Sequence, residues 1–171
     1  MLQTLILILV ATLSPIGGRQ AAPTTLSPAT PDLSGRWVLV PISARSDDAG
    51  FAPLGREFTV VQGPSTLTVT TTAQFGNSHT TLTYDLTGSE RQQATTIGRE
   101  VRTTVSTAQW KGNALIIITT WSLHRRTVTL SIDKDRLVVS SETSLLSKKN
   151  GQLVVSTIGP FVRAYERAPG H

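Results

Sequence analysis

The chain has 171 residues, 39% hydrophobic and 16% charged, which suits one domain with a tail and falls below the ~25% charged usual in soluble domains. Its formal charge is +5, from 16 Lys and Arg against 11 Asp and Glu. Yet the adjacent basic pairs are Arg125-Arg126 and Lys148-Lys149, both at predicted turns, and no basic stripe interleaved with aromatics marks a nucleic-acid platform. Cysteine is absent, which excludes a disulfide framework, a thiolate metal site and a lipid-bearing cysteine after a leader.

The chain opens on an apolar run, Leu2 to Leu13, ended by Pro15 and Gly17-Gly18. Its length matches the apolar centre of a signal peptide and falls short of the ~20 residues a spanning helix needs. Residues 1–20 therefore read as a signal peptide, although only the α-amino group charges its start. Cleavage is expected after Gly18 or near Ala21-Ala22. An uncleaved anchor or a core helix are the alternatives. Residues 21–32, rich in Pro, Thr and Ser, form a linker too poor in apolar surface to repay its own ordering. The folded domain is expected over 33–168, secreted or periplasmic, with no membrane span after processing.

From residue 36 onward the pattern is short runs of alternating apolar and polar residues between turn signals, without a helical period. Strands are predicted at 36–42, 57–62, 66–72 and 80–86, weakly at 90–96, then at 101–110, 115–121, 127–132, 136–143, 153–158 and 161–167. Residues 122–126 read as a turn. Lys111-Gly112-Asn113 and Asn150-Gly151 read as tight hairpins, and Gly159-Pro160 as a bulge or kink. Thr and Ser fill the outward positions where charges would be usual. Thr is β-branched and sits well on a pleated surface. Short connections make sequential strands antiparallel neighbours, and closing the sheet would remove its exposed edges.

No pattern of catalytic chemistry stands out. His79, His124 and His171 have no metal-ligand spacing, and His79 and His124 read as turn residues. Asp47-Asp48 lacks further oxygen ligands for a cation. Glu100 and Glu142 have no spacing that marks an acid/base dyad. There is no Gly-x-Ser-x-Gly elbow and no phosphate-binding loop. The chain is read as not an enzyme, with no cofactor and no metal. The longest connection, 43–55, carries Phe51 and Leu54 as a candidate lid, with Tyr84 and Trp121 as candidate ligand-lining residues. Trp110 ends the strand opposite Trp121 and is read as core or pocket mouth.

Gly35-Arg36-Trp37 opens the first strand run, and Arg163 and Arg167 flank the last. With the long first loop and the serial hairpins, these residues resemble the lipocalin-like (calycin-type) β-barrels, most closely small exported bacterial proteins of that kind, whose function is mostly unassigned. The resemblance covers Leu33 to Arg167. It implies an all-β, antiparallel up-and-down barrel of about eight to ten strands. Gly35 and Trp37 would close one end, with the guanidinium of Arg163 or Arg167 across the indole. Two departures stand: no second family motif lies mid-chain, and no C-terminal helix follows. A β-sandwich is the alternative fold. The expected function is binding of a small apolar or amphipathic molecule inside the barrel of a monomer. The alternative is a non-catalytic interaction or structural barrel filled by its own side chains.

Overall fold

The computed structural model describes residues 30–41, 52–72, 79–97 and 100–169, the side chains of 95–97 and 100 excepted. The proposed signal peptide, most of the linker and Phe51 lie outside the described residues. Ten strands follow in order: β1 Gly35–Leu39, β2 Glu57–Gln62, β3 Thr66–Thr72, β4 His79–Asp85, β5 Arg91–Ile97, β6 Glu100–Lys111, β7 Ala114–Trp121, β8 His124–Asp133, β9 Arg136–Lys149 and β10 Gln152–Arg167. No helix is present among the described residues.

The strands form one antiparallel sheet in the order β4-β3-β2-β1-β10-β9-β8-β7-β6-β5. Every ladder joins sequential strands except β1–β10, where Trp37 pairs with Arg167 and Leu39 with Tyr165. The sheet rolls into a nearly closed up-and-down barrel, so the sandwich alternative falls away. Its edge strands, β4 and β5, are consecutive in the chain and meet at a seam. There the Thr83 amide donates to Gln93 Oε1 (3.1 Å), a side chain taking the place of a ladder carbonyl.

The up-and-down course sorts the connections by end. The segment 30–34 and the turns 63–65, 86–90, 112–113 and 134–135 lie at one end. Residues 40–41 and 52–56 and the turns 122–123 and 150–151 lie at the other. Alternation then selects the inner face. Phe58 and Val60 on β2, Leu67 and Val69 on β3, Leu115 and Ile117 on β7, Val128 and Leu130 on β8, and Leu137 and Val139 on β9 are buried. Phe58 meets Tyr165 edge to face at 4.9 Å, the arrangement aromatic quadrupoles favour. Outward positions carry hydroxyls, some paired across strands: Thr70 and Thr81 at 3.1 Å, Thr68 and Thr83 at 3.3 Å.

Several boundaries differ from the sequence reading; β1, for one, ends at Leu39 instead of 42. The turn expected at 122–126 contracts to Ser122-Leu123, because β8 begins at His124 and pairs with Trp121. Arg125 and Arg126 therefore stand in a strand. His79 and His124 begin strands instead of sitting in turns. β9 runs to Lys149, well past 143, and the two last predicted runs are one strand, β10, with a register shift between Ile158 and Phe161. Beyond Leu145, which pairs with His124, β9 and β10 continue as a two-stranded ribbon at the 150–151 end.

Candidate functional site

One end of the barrel is plugged. Trp37 is fully buried, and its Nε1–H donates to the Leu33 carbonyl (2.9 Å). Arg167 stands opposite Trp37 in the β1–β10 register and lays its guanidinium carbon 5.0 Å from the indole centroid. Its Nη2 also donates to the Asp32 carbonyl (3.3 Å). Gly35 has φ +134°, and a Cβ there would stand 3.5–3.6 Å from the Arg167 side chain. A side chain at that φ is strained, so glycine lets β1 start beside the arginine. Arg163 lies four residues up β10, ~13 Å along the strand, and turns to the interior instead. Pro31 and Asp32, placed in the linker by composition, already touch the domain: Gln62 Nε2 donates to the Pro31 carbonyl (3.2 Å).

Toward the other end the inner face turns polar and basic. Arg126 shares its face of β8 with Val128 and Leu130. Its Nε donates to Ser141 Oγ (3.0 Å) and its Nη2 to the Pro53 carbonyl. The Tyr165 hydroxyl donates to the Gly55 carbonyl (3.1 Å). Segment 53–55 is thereby tied to the interior, and Leu54 packs against the core. Of the candidate lid, Leu54 is thus an anchored residue and Phe51 lies outside the described residues. Tyr84 is buried in the core near Arg126. Burial pushes its hydroxyl up to about 12, with the Arg126 charge pulling the other way. Burial likewise takes Tyr165 up to about 12, against a backbone hydrogen bond with Leu54 and the charges of Arg163 and Arg126.

Burial lowers the Arg126 pKa from the ordinary guanidinium value, and the groups opposing that shift are the two phenols, Tyr84 and Tyr165. No carboxylate with a described side chain acts on it. The described carboxylates are engaged or exposed on the outside: Glu57 holds Arg36, Glu166 holds Arg136 (2.7 Å), and Asp85 accepts from Thr87 (2.8 Å). A guanidinium does not lose its proton in a protein, so among the described residues this charge is balanced by dipoles alone. Around it lie Ser106 and Thr119, their hydroxyls 3.1 Å apart, and buried Thr104 and Ser141. Besides His124 Nδ1, two buried N–H groups on the same face, Arg163 Nε and Gln93 Nε2, have no hydrogen-bond partner among the described residues. Buried polar atoms are nearly always paired, so these are donors awaiting an acceptor.

Trp121 and His124 face each other where β7 turns into β8 and stack at 5.2 Å, nearly parallel. They occupy inner-face positions at the end opposite the plug. Trp110, on the same face of β6, packs partly buried against the core nearer the plugged end. Of the sequence candidates, Tyr84 meets the Arg126 cluster and Trp121 stands above it. Arg126 was hidden inside a presumed turn. The signal that finds it is the alternation Arg126, Val128, Leu130, Ile132, carried two residues further back.

A plugged, nearly closed antiparallel barrel with this closure has the lipocalin-like, calycin-type fold. Among solved structures the chain is similar to a crystal structure of a mutant of the fluorescent protein UnaG, with TM-score 0.52, 19% identity, 80% of this chain and 96% of that chain covered. The likeness is one of fold. No protein-family model and no curated protein sequence matches the chain.

Proposed function

We propose that this is an exported, non-catalytic barrel that binds a small amphipathic molecule in its interior, with an anionic head on Arg126 and an apolar tail among the core side chains. The observation that carries the reading is the Arg126 guanidinium, held inside the barrel with two phenols and no described carboxylate. An unbalanced interior charge is costly, and an anion supplied by a ligand would offset it. Arg163 Nε and Gln93 Nε2 supply further donors. Calycin-type barrels of this architecture enclose their inner face, which suits a ligand with a dry tail. The apolar leader is the basis for export.

The test uses anilinonaphthalene sulfonate, an anionic amphiphile that brightens in apolar surroundings. Saturable binding at one site per chain is expected, with displacement by decanoate but only weakly by decanol. Charge-assisted hydrogen bonds of ~1.5–3 kcal/mol correspond to roughly tenfold to a hundredfold in affinity. Arg126→Met should remove that margin and leave the two competitors equal. If the probe finds no saturable site, the barrel is filled by its own side chains and the runner-up function holds. Equal displacement by both competitors in the unmodified protein would overturn Arg126 as the anchor.

A further inference from the structure

Independently of what the interior holds, we propose that the β9–β10 ribbon docks the 150–151 end of the barrel onto an anionic lipid surface. The ribbon outruns its neighbours. β8 begins at His124, opposite Leu145, so the stretch up to Lys149 and Gln152 pairs with itself. Register sorts its side chains. Lys148 stands opposite Leu153, and Leu146 opposite Val155, on one face. The Leu146 amide donates to the Leu123 carbonyl (2.8 Å), which brings the Ser122-Leu123 turn against that face. Leu153 is 64% exposed, Val155 62% and Leu123 57%. With Leu146 and Val155, the turn frames an open groove of about 370 Å³.

Large apolar side chains gathered at one projecting tip mark an interaction surface. Charge decides the partner. Lys148 and Lys149 sit at the tip, and Arg125 stands opposite Ser144 on the groove face. None of them is ion-paired among the described residues. Among the described residues, the nearest carboxylate on this face of the ribbon's strands, Glu142, lies opposite Thr127, ~20 Å along the strand from Lys148. An apolar tip between ammonium groups matches a bilayer surface: side chains enter the headgroup region while lysines meet phosphates. A protein partner would instead require acidic complementarity to both lysines. Each lysine near an anionic surface is worth about fivefold in binding.

The absence of native cysteine allows a single-site readout. Gln152→Cys, exposed at the ribbon tip, is labelled with an environment-sensitive nitrobenzoxadiazole dye in the full chain. Kin to it is a control label at Lys111→Cys, at the plugged end. Vesicles of equal parts phosphatidylglycerol and phosphatidylcholine should brighten the tip label severalfold, and pure phosphatidylcholine should not. The control label should stay unchanged. Lys148→Gln with Lys149→Gln should weaken the response about 25-fold, the product of two fivefold terms. Leu153→Ser with Val155→Ser should weaken it more than tenfold. All four side chains project from the barrel, so the far-ultraviolet circular dichroism melt should stay in place. A tip label that does not respond at saturating anionic lipid overturns the proposal. So does an equal response at both labels, which would assign membrane contact to the apolar leader. Brightening that rises with protein concentration without vesicles would assign the ribbon to a second copy of the chain. Failure here leaves displacement by decanoate untouched, so the two readings are separable.

Discussion

The plug supports a quantitative experiment: a double-mutant cycle between Trp37 and the two late arginines. Trp37→Leu removes the indole face and its hydrogen bond to the Leu33 carbonyl. Full truncation of a buried tryptophan costs ~3–5 kcal/mol, and leucine keeps part of the packing. A domain with about 5–15 kcal/mol of stability should therefore still fold. Arg167→Ala removes the stacked guanidinium and its donation to the Asp32 carbonyl. That donation does not involve the indole and cancels in the cycle. What remains is the stacking itself. Arg167 is exposed, so the lower range for cation–π contacts applies, ~0.5–1 kcal/mol. The same cycle with Arg163→Ala should give zero coupling, because Arg163 stands ~13 Å further along β10. Urea unfolding followed by far-ultraviolet circular dichroism yields the four free energies of each cycle and avoids the altered tryptophan signal. Coupling to Arg163 of the same size as to Arg167, or none to either, would refute the plug as described.

Two further outcomes follow from the same geometry. Gly159 has φ +108°, and an added Cβ would lie 2.7 Å from the Ser141 carbonyl oxygen and 3.2 Å from the Phe161 amide nitrogen. Gly159→Ala should cost roughly 1–3 kcal/mol from backbone strain alone, more with the clash, seen as a lower urea midpoint; an unchanged midpoint would mean that β10 can shift its register freely. The chain's two tyrosines, Tyr84 and Tyr165, both have hydroxyls raised by burial to about 12. Burial favours the neutral phenol, so their contribution is fully present below pH ~10, the unfolded value, and is lost as pH rises through about 12. Phenolate absorbance should therefore stay silent in the native protein near pH 10 and appear there in urea; a native transition at the ordinary value would place a tyrosine in solvent.

What could be read from the sequence depended on how strongly each face of a strand was buried. Val128, Leu130 and Ile132 announce β8 because their inner positions are apolar. Arg126 continues the same alternation, yet a charged residue beside Arg125 and Ser122 carries the composition of a turn. An inner face with a guanidinium at its centre breaks the pattern that periodicity detects. β5 was faint for a related reason. Gln93 points inward as a bridge across the seam, so its strand lacks an apolar row. The ribbon part of β9 carries no periodic signal, because its Leu145 and Leu146 serve opposite faces, neither of them buried against a core. Trp37 and Arg167 were legible together because a buried indole needs a local acceptor and glycine beside it needs room. The sequence did not separate Arg167 from Arg163, since both have the same parity and only the ladder with β1 fixes which one is level with Trp37.

The unladdered seam has a topological consequence. The first four strands and the last six are joined by one ladder, β1 on β10, a contact that spans almost the whole chain, whereas β4 and β5, adjacent in sequence, pack without a ladder and are bridged by the Gln93 side chain. The two ends of the domain already touch: the Ala168 amide donates to the Arg36 carbonyl (2.8 Å), and Arg167 reaches Asp32. A circular permutant joined there and opened between Leu86 and Glu90 would keep every ladder. Its strand order would then follow the chain from β5 through β10 to β1 and β4 as a plain meander. The most distant pairing becomes a neighbouring hairpin, and the entropy of closing the largest loop leaves the folding barrier. The native order therefore makes completion of the barrel wait for its last strand, and the permuted order would let it grow one hairpin at a time.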